Sequence, residues 1–287
     1  MAIAKQTYRQ YNSTLTPARM RFAIFSRFYY APLFQSKFIV LFLAACLFYP
    51  IGCAAYIYIT NNSMLIMALS LRPDFVPAID GSFFYSYSIV QGTMALLLTT
   101  LIGPNLIAPD LANGALSLYL SRPVSRTQYI LGKMIVLLSL ESLITWVPGV
   151  LLFVIKAEVT GFEWARNNAW LVGATVIGLS IWIIMLSLIA LTLSALVKWR
   201  IAAGALILGI FFVGAGFGNA INSILHTNYG SLINLSEVIR IIWAYLYRHG
   251  YMDTNLTTFQ ACSVLFIVCI LCLIMLAKRV RAFEVVK

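Results

Sequence analysis

Six separate stretches of this 287-residue chain are each long and apolar enough to cross the hydrocarbon core of a bilayer, which takes about 20 helical residues. They are Phe38–Ile59, Phe83–Ala108, Met134–Ile155, Ala169–Val197, Ile201–Ile224 and Phe259–Ala277. Five of them contain no charged residue, and the third contains Glu141. Each run is continuous, whereas a barrel strand alternates apolar and polar positions over about half that length. The fold class that follows is an all-α polytopic membrane protein with six transmembrane helices. Composition agrees. Hydrophobic residues make up 61% of the chain and charged residues 10%, against about 25% charged in soluble domains.

The net charge of +11 resembles a nucleic-acid signal until its distribution is read. Lys and Arg fall in the short segments between apolar runs, as membrane orientation requires, and nucleic acid is excluded as a partner. Fifteen basic residues lie before the first span, between the second and third, between the fourth and fifth, and after the sixth. The other five, Arg72, Lys156, Arg166, Arg240 and Arg248, lie on the opposite side. The positive-inside rule then places both ends in the cytoplasm, N-in/C-in. The chain reads as a single transmembrane domain, 1–287. Residues 1–37 form a basic cytoplasmic segment without a signal-peptide pattern, 38–277 the six-helix bundle, and 278–287 a cytoplasmic tail.

Two extramembrane segments have a pattern of their own. Thr16-Pro17 reads as an N-cap followed by proline in a first helical turn. Beyond it Arg19, Ala23, Ser26 and Tyr30 share one face, which predicts an amphipathic helix on the inner membrane surface. The last outer loop runs from about Leu225 to Thr258, and its Ser236–Arg248 stretch, rich in Ile, Trp and Tyr, predicts an interfacial or re-entrant helix capped by Ser236.

Catalytic chemistry has little to stand on. There is no GxxxxGK[ST], HExxH or GxSxG, and His226 and His249 stand apart from any ligand cluster. The sequence therefore offers no catalytic or metal-ligating residues. The cysteines, Cys46, Cys53, Cys262, Cys269 and Cys272, all fall inside apolar runs and read as small hydrophobes. Glu141 is the exception within the spans. It must face protein or water, either lining a substrate path or hydrogen-bonding between spans. Pro148, seven residues on, would free a backbone carbonyl and kink the same helix.

The segment Ile107–Lys133, IAPDLANGALSLYLSRPVSRTQYILGK, is the longest inner loop and is not simply hydrophilic. Leu111, Leu116, Leu118 and Leu120 are interleaved with small and polar residues, and Ser121-Arg122-Pro123 ends any helix there. Such a segment suits either docking to a cytoplasmic partner or contact with lipid headgroups. Its residues Asp110, Gly114, Ala115, Leu116, then Leu120 to Arg126, then Leu131, Gly132 and Lys133 resemble the inner loop of ABC-2-type ABC transporter permeases. The family often has Glu where this chain has Asp110.

The resemblance implies a permease subunit of an ATP-driven exporter that performs no bond chemistry. A separate ATP-binding subunit, carrying ATP and Mg, would dock on the 109–126 loop, and a second permease chain would pair with this one in the plasma membrane, as in a bacterial inner membrane. The coupling residues would be Asp110, Gly114, Leu116, Leu120, Arg122, Pro123 and Arg126, with the turn Lys198-Trp199-Arg200 as a secondary contact. Two other functions compete. One is an ion- or proton-coupled secondary transporter using Glu141, although no internal repeat or discontinuous helix is legible. The other is a membrane assembly or anchoring subunit that transports nothing.

Overall fold

A computed structural model describes residues 21–68, 77–115, 125–250 and 256–279, and among these the regular structure is helical throughout. The six expected spans are present. In chain order the helices are α1 (Arg21–Gln35), α2 (Lys37–Thr60), α3 (Ser63–Ala68), α4 (Gly81–Ile102), α5 (Pro104–Ala112), α6 (Arg126–Ile144), α7 (Trp146–Thr160), α8 (Phe162–Asn167), α9 (Trp170–Leu196), α10 (Arg200–Leu225), α11 (Leu235–Leu246) and α12 (Thr258–Arg279). The first, fourth, fifth and sixth spans are α2, α9, α10 and α12, whose ends fall within three residues of those expected from sequence.

The second and third spans are each broken in two, which the sequence did not predict beyond a kink at Pro148. The second divides at Gly103, and Pro104 begins α5. Proline at the first helical position needs no amide partner. Amides of the following turn are met from another span: Ile107 N and Ala108 N donate to Ser194 Oγ at 3.1 and 2.9 Å, and that hydroxyl donates to Pro104 O at 3.2 Å. The third span divides at Thr145, between α6 and α7. Pro148 lacks the N–H that would bond Ile144 O, so the ladder fails four residues upstream of the proline rather than at it.

The fourth span is the hub. α9 packs against α4, α5, α6, α7, α10, α11 and α12, and 67% of its most apolar window is buried, against 22% for each of the first, fifth and sixth spans. Its buried small residues Ala174, Gly178, Ser187, Ala190 and Ser194 permit that close approach. The poorly buried spans display large apolar side chains outward, among them Phe48, Phe212 and Phe266. Those faces suit lipid or another apolar surface.

The loop after the fifth span does contain a helix, capped by Asn234 rather than Ser236. Asn234 Oδ1 accepts from Ser236 N at 3.1 Å. Val238, Ile239, Ile241, Ile242 and Trp243 of α11 are buried, while Glu237 and Arg240 pair at 3.4 Å along its polar face. Trp243 enters the bundle between α4 and α9. Its indole N–H donates to Gly178 O at 2.9 Å, and a Cβ at Gly92 would come within 2.5 Å of its ring. One turn on, Tyr247 donates to Thr175 Oγ1 at 3.2 Å and accepts from Ser88 Oγ at 2.7 Å. Burial raises its phenol above the ordinary range.

The N-terminal helix is fastened to protein. α1 packs along α6 and touches α2. Of the expected shared face, Ser26 Oγ donates to Gly132 O at 3.0 Å and the Tyr30 hydroxyl meets Ser139 Oγ at 2.5 Å. Thr16 and Pro17 lie outside the described residues.

Candidate functional site

The inner loop begins and ends in the described structure, with 116–124 outside it. α5 closes on Asn113, and Gly114 follows with φ +66°, a left-handed position that glycine adopts without a Cβ clash. On the return, Ser125 caps α6. Gln128 N donates to Ser125 Oγ at 3.2 Å and Ser125 N donates to Gln128 Oε1 at 3.0 Å, a reciprocal capping box. The S-x-x-Q pattern of Ser125 to Gln128 carries that signal in the sequence. Gly114 and Arg126 are both exposed. Leu116, Leu120, Arg122 and Pro123 lie outside the described residues.

Asp110 sits apart from this exposed rim. Only 7% of it is exposed, and its carboxylate accepts from the Lys133 ammonium at 2.7 Å, the Tyr129 hydroxyl at 2.7 Å and the Tyr29 hydroxyl at 3.0 Å. Lys133 is completely buried. Its ammonium also donates to Leu106 O at 2.5 Å and stands 3.4 Å from the centre of the Tyr29 ring. A buried ion pair is tolerated when its remaining hydrogen-bonding capacity is used, and here an acceptor carbonyl and an aromatic face use it. The cluster joins α1 through Tyr29, α5 through Asp110 and Leu106, and α6 through Tyr129 and Lys133. Asp110, at the start of the predicted coupling loop, therefore binds the root of that loop to the bundle. Lys133, counted from sequence among the loop charges, belongs to the core.

The turn Lys198-Trp199-Arg200 lies at the same end of the bundle. Ser194, just before it, bonds the first turn of α5, and Arg279 at the end of α12 donates to Ala195 O at 3.3 Å. All three turn residues are exposed, Trp199 by 79%.

Glu141 lies in the interior of the bundle with no exposed surface. The Thr99 hydroxyl donates to Oε1, and Ser187 Oγ donates to Oε2 at 3.3 Å. Thr145 Oγ1 donates to the Glu141 carbonyl at 2.7 Å, immediately before the break in the third span. The carboxylate thus ties α6 to α4 and α9 by hydrogen bonds. A second buried lysine was also read from sequence as a loop charge. Lys156, in α7, donates to Asn61 Oδ1 at 2.9 Å and lies 5.7 Å from the Trp164 ring.

Sequence reasoning missed Tyr29, Tyr129, Thr99 and Ser187. Tyr129 precedes Lys133 by four residues, so their shared helical face was readable. Tyr29, Thr99 and Ser187 are brought in by tertiary packing alone. Residues 4–285 match the family described as ABC-2 family transporter protein. No curated protein matches the chain.

Proposed function

The chain belongs to the ABC-2 family of transporter proteins, and from that premise we propose that it is the permease of an ATP-driven exporter whose motor is a separate ATP-binding subunit docking on residues 109–126. Both chain ends and this loop lie in the cytoplasm, the side on which ATP is available. The bound ATP and Mg belong to the motor subunit, and a second permease chain completes the transporter.

The observation that carries this reading is the construction of the loop's root. An exposed rim, Gly114 and Arg126, is continuous with helices pinned inside the bundle by the Asp110–Lys133 cluster. A push on the rim is transmitted to α5 and α6 together because an ion pair and two phenols bind them. α5 is separated from α4 by the Gly103–Pro104 break, which allows it to tilt without dragging the rest of the second span. Closure of the motor then becomes a shift between two packings of the bundle. Arg126, with Arg122, supplies positive charge for the motor surface, and the exposed Lys198-Trp199-Arg200 turn supplies a second contact. Glu141, met by two hydroxyls, serves as an interspan tie.

The test is co-purification. Replacing Arg122 and Arg126 together by Glu should abolish recovery of the ATP-binding subunit while membrane insertion stays normal. Full recovery of the subunit, with unchanged stimulation of ATP hydrolysis, would remove the 109–126 loop as the docking element.

A further inference from the structure

Pro50 lies inside α2 and Pro148 inside α7. Each lacks an N–H, so each leaves the carbonyl four residues upstream without its helical donor. Those carbonyls are Cys46 O and Ile144 O, on the first and third spans. One side chain of the second span serves both. Gln91 Nε2 donates to Ile144 O at 2.6 Å and to Cys46 O at 3.1 Å. An amide nitrogen has two protons, and here each goes to a different proline-freed carbonyl.

Three further observations bear on this arrangement. The Tyr87 hydroxyl, one turn from Gln91 on α4, donates to Thr145 O at 2.7 Å, so α4 grips the third span at the residue where it divides. Gln91 is fully buried, yet its Oε1 has no hydrogen-bond partner among the described residues; the amide is held from its donor side. Pro50 and Pro148 also line a common apolar groove of about 360 Å³ between the two spans, with Leu47, Ala54, Leu143 and Leu151. The two helices are therefore not in close contact along this groove, beside the point where they are joined.

We propose that Gln91 is a removable clamp in the transport cycle. In this conformation its amide holds the first and third spans together at their two prolines. Rotation of that one side chain releases both carbonyls at once and lets the spans repack into the groove. Gln91 is a positioning residue acting through backbone, and it contacts neither cargo nor motor. Its role in transport rests on the permease reading, but the clamp itself does not. The test uses the isolated chain and no ATP-binding subunit, so failure of the clamp and failure of the coupling loop are distinguishable.

Cys46 reports on the clamp, being 1% exposed and adjacent to the bonded carbonyl. With Cys53, Cys262, Cys269 and Cys272 replaced by Ala, labelling of Cys46 by N-ethylmaleimide is followed by mass spectrometry on the full chain in lipid nanodiscs. Gln91→Leu should accelerate labelling about tenfold. In a Pro50→Ala/Pro148→Ala background the restored backbone N–H groups occupy both carbonyls, and Gln91→Leu should then change the rate less than about twofold. With Gln91 intact, that background should label several-fold more slowly than the parent, because helical bonds do not open with a side-chain rotation. Equal acceleration by Gln91→Leu in both backgrounds, or equal rates for the parent and the double-proline variant, overturns the proposal. Should Gln91→Leu alone fail to accumulate, recovery of folded chain by the two Pro→Ala changes supports the clamp, and no recovery overturns it.

Discussion

Asp110 and Glu141 are buried carboxylates on the second and third spans, held in different ways. Asp110, at the root of the inner loop, is met by the Lys133 ammonium and by two phenols. Glu141, in the interior, is met by the hydroxyls of Thr99 and Ser187. The charged cluster joins three helices, one of which is the short α5 beyond the Gly103 break; the hydroxyl-lined one joins three long helices, including the hub α9. An ion pair resists separation over a longer distance than a hydrogen bond does, so under the proposed coupling, in which a push on the rim reaches α5 and α6, a cluster that joins them is well served by charge. A tie inside a close-packed hub needs direction more than reach, and hydroxyls supply that.

The sharpest way to break this comparison is to leave Asp110 buried without its cation. Lys133→Met keeps the four-atom stem of the side chain and removes the ammonium, and it should destabilise the chain by about 3–5 kcal/mol. Thermal unfolding of the purified protein, or loss of folded chain from the membrane, would register this. Adding Asp110→Leu should recover part of the loss, because two apolar side chains in the site avoid a stranded charge. A Lys133→Met variant as stable as the parent would show that the cluster does not hold the loop root.

Glu141→Leu should cost less, about 1–2 kcal/mol. Thr99 Oγ1 also lies 2.7 Å from Ala95 O in its own helix, so its single proton can turn to that carbonyl when the carboxylate is gone. Glu141→Gln should fall below about 1 kcal/mol, since an amide oxygen still accepts from a hydroxyl. ATP-driven activity should persist in that variant. Its complete loss in a folded chain would instead assign the carboxylate to a transport path and reverse the comparison.

The two sites were not equally legible in the sequence, and the reason is physical. The long apolar runs determined six spans because lipid leaves few other options, and Glu141 stood out as the single charge inside one of them. Lys133 did not stand out. It borders an apolar run, where a positive charge is the ordinary sign of the inner side, so its burial was masked by the same rule that orients the chain. The breaks at Gly103 and Thr145 were hidden for a related reason. A break is tolerated in a span when another helix meets its backbone groups, and here Ser194, which accepts the amides after Pro104, and Gln91, which donates to Ile144 O, both come from other spans. The helix after the fifth span showed in its stretch rich in Ile, Trp and Tyr, but the glycines that admit Trp243, at 92 and 178, look like any others until α4 and α9 are placed beside it.

Within the charged cluster the two interactions of Tyr29 can be separated. Tyr29→Phe removes the hydroxyl bound to Asp110 and retains the ring 3.4 Å from the Lys133 ammonium. The expected loss is about 1 kcal/mol, read as a modest fall in melting temperature, while Tyr29→Ala should cost distinctly more by removing the aromatic face as well. Equal losses would mean that the ring contributes nothing to holding the cation.

The smallest effect on stability is expected at the rim. Arg126 is exposed at the start of α6, beside a helix N-terminus whose partial positive charge it does not complement. Arg126→Ala should therefore change stability by no more than about 0.5 kcal/mol, with a slight gain as plausible in sign as a loss. If the rim is where the motor docks, the same substitution weakens co-purification of the ATP-binding subunit, and more so at low salt, where exposed charges act over longer distances. Lys133→Met should show the opposite division, with stability falling first and docking failing only as the loop root loosens. A variant at Arg126 that unfolds the chain, or one at Lys133 that removes docking from a fully stable protein, would exchange the roles of rim and root. The charge that carries the coupling would then lie in the buried cluster.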